Sequence, residues 1–150
     1  MRLLIDTNIF HKFFNVNHKE HNEFKKAHKC LFDCKGVMLF GGSTFEKEIN
    51  ISLSSYKKIL IELSKSGKFI QLDKSTIDLE EKRIKLLEKS NDFDDPHIIS
   101  CVINGKIQII CSDDSRADKY IKDPKFYPKQ FSIPKIYRKS IHHKLLNDCF

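Results

Sequence analysis

A chain of 150 residues with 40% hydrophobic side chains is long enough to bury one sizeable core and short for two. No apolar run approaches the roughly 20 residues that span a bilayer. The first residues also lack the basic-then-apolar layout of a signal peptide, so a cytoplasmic protein with no membrane partner is expected. Charged residues make up 31% and the apolar ones fall in short periodic clusters, which argues against a disordered chain or a repeat array. A formal net charge of +7 points to a polyanionic partner, because phosphate backbones reward Lys and Arg through counterion release.

Leu3-Leu4-Ile5 is a short apolar run followed by Asp6-Thr7-Asn8, a polar cluster suited to starting a helix, so the chain opens as strand then helix. Phe24, Ala27, His28, Leu31 and Phe32 keep the spacing of an amphipathic helix that stops near Gly36, and Val37 to Phe40 follows as a buried strand. Gly41-Gly42 breaks that strand, and Ser43 with Glu46 forms the pattern of a capping box at the next helix start. Tyr56, Ile59, Leu60 and Leu63 carry a further helix to Gly67, and Phe69 to Leu72 gives a third strand. Ser75 to Lys89 reads as a helix with Ile77, Ile84 and Leu87 inward.

Asp95-Pro96 looks like an N-cap with proline at the first helical position, Ile98, Ile99, Val102 and Ile103 form the buried stripe, and Gly105 closes the helix. Ile107 to Cys111 is a fourth strand, apolar throughout, as expected where helices cover both sheet faces. Strands alternating with helices predict an α/β fold, a three-layer α/β/α arrangement around a mostly parallel sheet. From Asp123 onward, Pro124, Pro128 and Pro134 divide a stretch rich in Lys, Tyr and Phe, with a return strand expected near 131–137 and a short helix after Ser140.

The five cysteines, Cys30, Cys34, Cys101, Cys111 and Cys149, include no CxxC pair, and reduced thiols are expected. His18, His21, His28, Cys30 and Cys34 lie close in sequence, but their spacing matches no common zinc finger or ribbon.

In a parallel sheet, acids placed just after strands and at the following helix starts converge at the strands' carboxyl ends. Asp6 ends the first strand, Glu48 lies in the helix after the second, Asp92, Asp94 and Asp95 precede a helix, and Asp113 and Asp114 follow the fourth strand. Carboxylate oxygens suit Mg²⁺ or Mn²⁺, and without a cation such a group of acids would repel and raise its own pKa values. Each acid also has a structural reading: Asp6 and Asp95 as helix caps, Asp92 and Asp94 as solvated loop residues, Glu46 as half of the capping box. Glu48 is favoured over Glu46 because it shares the inward face of Phe45 and Ile49, where an unpaired carboxylate is costly.

With these residues in place, Leu4 to Asn8, Ser43 to Ile49, Asp92 to Ser100 and Ile110 to Ser115 resemble, in order and spacing, the acidic motifs of PIN-domain nucleases. The resemblance covers about residues 1–121, leaving a basic, proline-containing extension over 122–150 within one PIN-like domain. By the resemblance, Asp6 matches the first aspartate, Glu48 the glutamate of the early helix, and Asp95 the aspartate opening the helix beside the site. Ser112-Asp113-Asp114 resembles Thr-x-Asp, which favours Asp114, with Asp113 kept as the alternative for a register shift of one.

The family implies a Mg²⁺- or Mn²⁺-dependent ribonuclease, with many members acting as VapC-type toxins held by an antitoxin, and related domains often pair as homodimers. Metal is then expected at Asp6, Glu48, Asp95 and Asp114. Asn8 and Ser112 are expected to orient these ligands by hydrogen bonds, and Arg116 and Lys119 to contact substrate. His97 reads either as a phosphate contact or proton carrier or as a surface histidine at a helix start, and the second is favoured. Lys135, Arg138, Lys139, His142, His143 and Lys144 make the tail basic, and Tyr120, Phe126, Tyr127 and Tyr137 offer faces for stacking bases or packing the core. The alternatives to a ribonuclease are a DNA-cutting enzyme of the same type and a catalytically inactive module that binds nucleic acid or a partner.

Overall fold

The structure, a computed structural model, describes residues 1–52 and 56–150. Five parallel strands, β1 (Arg2–Ile5), β2 (Val37–Gly41), β3 (Phe69–Leu72), β4 (Ile109–Cys111) and β5 (Lys135–Tyr137), form one sheet in the order β3-β2-β1-β4-β5. The helices that flank it are α1 (Phe10–Phe14), α2 (His21–Asp33), α3 (Ser43–Ser52), α4 (Lys57–Lys65), α5 (Lys74–Leu87), α6 (Pro96–Gly105) and α7 (Asp118–Ile121). The expected three-layer α/β/α fold is present, with every strand pair parallel. No described helix is long and apolar enough to cross a membrane.

Strand order follows from which runs are apolar on both sides. Leu3, Leu4 and Ile5 are fully buried and take the centre, paired to β2 through Leu3 and Met38 and to β4 through Ile5 and Cys111. At the edge, β3 leaves Ile70 and Gln71 exposed. The chain runs outward from β1 through β2 to β3, then back past β1 through α5 and α6 to β4, so the right-handed rule for parallel crossovers places the two sets of helices on opposite faces. The winding direction reverses between β1 and β4, and the crevice at their carboxyl ends is where an open sheet of this kind presents its ligand site.

Two glycines are required by close approach. At Gly42, φ is +90°, and a Cβ would lie 2.6 Å from Ile77 of α5. Gly105 closes α6 as expected, as its last helical residue, set against Leu39 and Leu72, and the left-handed conformation falls to Lys106 with φ +48°.

Other local expectations are corrected by long-range partners. The capping box of Ser43 and Glu46 does not form: the Ser43 N–H and Oγ donate to the two oxygens of Asp78 on α5 at 2.7 and 2.6 Å. Glu46 turns to the surface and accepts from Lys74 Nζ at 2.6 Å and Gln71 Nε2 at 3.2 Å. Leu87 is exposed, and the inward positions of α5 are Ile77, Glu81 and Ile84. In the stretch after Asp123 the expected return strand and helix are present: β5 extends the sheet, and the helix over Ser140–Cys149, of the 3-10 type, packs on α2. Tyr120, Phe126 and Tyr137 are buried, so they pack the core and are not available to stack bases.

Cys30 and Cys149, both buried, form a disulfide joining α2 to the end of the chain, which overturns the expectation that all thiols are reduced. Cys30 is thereby committed away from any zinc group with His18, His21, His28 and Cys34. Cys34 is half-buried, and Cys101 and Cys111 are buried free thiols. Purified without reductant, the native chain should therefore carry three free thiols, of which Cys34 alone reacts promptly with a thiol reagent. Reduction should lower its stability by about 2–4 kcal/mol in urea denaturation; five reactive thiols on unfolding without reductant would contradict the bridge.

Candidate active site at the sheet's carboxyl edge

Asp6 follows β1 directly and is only 8% exposed. Its backbone N–H donates to the Cys111 carbonyl at 2.9 Å, so the β1–β4 ladder runs up to the carboxylate itself. One oxygen, Oδ2, accepts from Ser112 Oγ at 2.7 Å, and Oδ1 accepts from the Asn8 N–H at 3.3 Å, capping a 3-10 turn over Thr7–Ile9. Ser112 Oγ in turn accepts from the Asp114 N–H at 3.1 Å and lies 3.5 Å from Asn8 Nδ2. Ser112 and Asn8 thus occupy the orienting places expected of them. Burial pushes the Asp6 pKa above its ordinary value, against the lowering effect of the Ser112 hydroxyl.

Two adjacent aspartates after β4 separate cleanly. Asp113 pairs with Lys12 Nζ at 2.6 Å, and the same ammonium lies 2.5 Å from Glu20. The charge of Asp114 instead acts on Asp6 and Asp95. The structure therefore separates Asp113 from the acidic group and brings in Asp114. Arg116 grips Asp114 through Nε at 3.1 Å and Nη2 at 2.8 Å and lies 3.9 Å from Asp94, and this pairing holds the Asp114 carboxyl below its ordinary pKa. Lys119 is exposed on α7 with Nζ 4.7 Å from the Tyr120 ring, away from the pairs that surround the acids.

Glu48 reaches the same place from α3, the helix that Asp78 anchors to α5. Thr7 Oγ1 donates to its Oε2 at 2.8 Å, and His97 Nε2 lies 3.3 Å from Oε1. Burial raises its pKa, and the charges of Asp6 and Glu81 raise it further. Asp95 stands at the start of α6, but its side chain makes no capping bond, so the purely structural reading of this residue loses its support. Burial, and then the charges of Asp6, Glu48, Asp114 and Asp94, push its pKa up to about 7. Asp92 is an exposed loop residue, and Asp94 is exposed beside Arg116.

His97 was expected at the surface and is instead 2% exposed, its pKa lowered to about 4 by burial. Sequence reasoning also missed Glu81, 5% exposed on α5, which accepts from Thr44 Oγ1 at 3.0 Å and pairs with Lys85 at 2.5 Å. Its signal was present as the i+4 position between Ile77 and Ile84 on one helix face.

Asp6, Glu48, Asp95 and Asp114, from four separated segments, thus lie within electrostatic reach at the carboxyl end of the sheet: after burial, Asp6, Glu48 and Asp114 raise the Asp95 pKa, Asp114 raises that of Asp6, and Asp6 that of Glu48, while Arg116 keeps Asp114 low. Their oxygens are a donor set suited to a hard divalent cation, although among the described residues no three acidic, His or Cys side chains are drawn together into a ready-made cage. No known family matches the chain, and neither a curated protein nor a solved structure is detectably similar to it.

Charge repulsion at this site has a measurable sign. Unfolded, Asp95 ionises as the pH rises through its ordinary 3.8, whereas in the folded chain it keeps its proton until about 7. The folded state binds more protons across that window, so its stability falls as pH rises through it and stays lowered above it. In EDTA, Asp95→Asn should gain stability relative to the parent between about pH 4 and pH 8, on the order of 1 kcal/mol once solvent screening is allowed for. Urea denaturation at the two pH values reads the difference, and a pH-independent offset would refute the raised pKa of Asp95 that burial and its acidic neighbours produce.

Proposed function

We propose that this chain is a metal-dependent phosphodiesterase, an endoribonuclease of the PIN type, with Asp6, Glu48, Asp95 and Asp114 holding one or two Mg²⁺ or Mn²⁺ ions. The observation that carries the reading is the placement of these four acids near the reversal point of the sheet, with Asp95 pushed up to about 7 by burial and, after it, by the charges of the other three and Asp94. Several acids in one crevice oppose folding unless a cation offsets them, and an all-oxygen set selects Mg²⁺ or Mn²⁺ over softer metals. The net charge of +7 supports a nucleic-acid substrate.

When bound, the cation supplies Lewis acidity and a water of lowered pKa. The chain's own residues orient and neutralise. Ser112 and the Asn8 N–H fix Asp6, Thr7 fixes Glu48, and Asp95, which retains a proton near neutrality, would have to be deprotonated to hold a cation. Arg116, at 72% exposure, is free to exchange Asp114 for a phosphate oxygen, for which its planar fork is equally suited. Hydrolysis on this arrangement leaves 5′-phosphate and 3′-hydroxyl ends. A toxin or defence role under an antitoxin or other inhibitory protein, and a homodimeric state, fit an enzyme whose cutting site lies open at a sheet edge.

One observation favours a second reading. The Arg116 guanidinium already neutralises Asp114, as a site that binds nucleic acid or a partner without a cation would require. Labelled single-stranded RNA and DNA of matched sequence, incubated with Mg²⁺, Mn²⁺ or EDTA, separate the possibilities. The parent should cut RNA only with metal, and Asp6→Asn should lose more than the roughly 100-fold that removing a mere orienting partner reaches. Cutting of DNA alone would transfer the reading to a deoxyribonuclease, and cation-independent binding without cutting would favour the module.

A further inference from the structure

Resting on the reading of the four acids as a cation site, we propose that His97 is a positioning residue whose Nε2–H fixes the direction of the Glu48 carboxylate. The argument is geometric. His97 sits in the first turn of α6, two residues after Asp95, with its ring 98% removed from solvent on the side where α3 passes. Nε2 is 3.3 Å from Glu48 Oε1, while Thr7 Oγ1 holds Oε2 at 2.8 Å. Both carboxylate oxygens are therefore held, one from the turn after β1 and one from α6. Those same two segments carry Asp6 and Asp95, so the contacts tie the Glu48 side chain of α3 to two of the three other acid-bearing segments.

The other ring nitrogen identifies the tautomer. Nδ1 is buried and has no hydrogen-bond partner among the described residues. The nearby buried carboxylate, Glu81, is taken by Thr44 and Lys85. If Nδ1 carried the ring's single proton, a buried N–H would be orphaned while Nε2 faced Glu48 with a lone pair. With the proton on Nε2, the ring donates to the carboxylate, and only a weak acceptor is left unpaired. An orphaned polar atom in the core opposes stability, and an apolar side chain of similar size would remove it. The imidazole therefore contributes direction to Glu48 rather than stability to the fold, a role like that of the hydrogen-bond partners behind metal-ligating side chains elsewhere.

Three variants test this by Mn²⁺ titration calorimetry of the full chain, with urea denaturation in EDTA alongside. His97→Leu should bind Mn²⁺ about 10- to 100-fold more weakly than the parent, with a denaturation midpoint equal to or above the parent's. His97→Gln places an amide nitrogen close to the position of Nε2 and should restore affinity to within a few-fold. His97→Asn is one methylene shorter and should not. A general packing role would instead lower the midpoint and move Leu, Gln and Asn together. Parent-like Mn²⁺ affinity in His97→Leu, or Gln no better than Asn, overturns the positioning role while leaving the cation site intact. A parent chain without saturable Mn²⁺ binding overturns the cation reading and this inference with it.

Discussion

The hydrogen bond from Ser112 Oγ to Asp6 Oδ2 joins positions 106 residues apart and governs everything else at the carboxyl edge of the sheet. An isolated carboxylate at 8% exposure would be strongly disfavoured, so Asp6 can end β1 inside the domain only because donors from β4 and from its own turn meet both oxygens. The bond requires Ile5 to lie opposite Cys111, which is the register the ladder adopts. It also fixes the turn after β4, since the same hydroxyl accepts the Asp114 N–H and so turns Asp114, not Asp113, towards the crevice. One serine thus ties the strand register to the buried carboxylate of Asp6 and to the turn that carries Asp114.

The parallel fold and most of the acidic group were legible because both rest on local signals. Apolar runs marked the strands, and acids just beyond strand ends must converge if the sheet is parallel. The choice of Glu48 over Glu46 was legible too, from the helix face it shares with Phe45. What the sequence concealed came from partners distant along the chain. Ser43 and Glu46 have the spacing of a capping box, but Asp78, 35 residues on, offers two acceptors to Ser43 and displaces the local solution. Between Asp113 and Asp114 the motif favoured the second but left a register shift of one open, and only Lys12, arriving from α1 to claim Asp113, separates them. The pairing of Cys30 with Cys149 spans 119 residues, and no spacing rule reaches that far.

His97 shows why helix starts are hard to read. Residues there are commonly solvated, and a histidine after Asp-Pro invites a surface assignment. In this fold α6 packs along α5 and its first turn brings His97 to Glu48 of α3, while Gly42 at φ +90° lets α5 approach the end of β2 closely. The packing that buries the ring depends on a glycine 55 positions earlier in the sequence, and periodicity within α6 contains no trace of it.

Neutralisation is uneven across the four acids, and the unevenness has a direction. Ser112 and the Asn8 N–H serve Asp6, Thr7 and His97 serve Glu48, and Arg116 serves Asp114. Asp95 has burial and four acidic neighbours acting on it and no capping bond to offset them. Any charge that the site does not balance internally therefore accumulates there, as a retained proton. Of the compensating groups, only the Arg116 guanidinium is largely solvent-exposed, and an exposed ion pair contributes little to stability. The buried hydrogen bonds hold the geometry, whereas the charge balance rests on a mobile proton and a weakly held arginine. Both can be exchanged for other positive charge without disturbing the core.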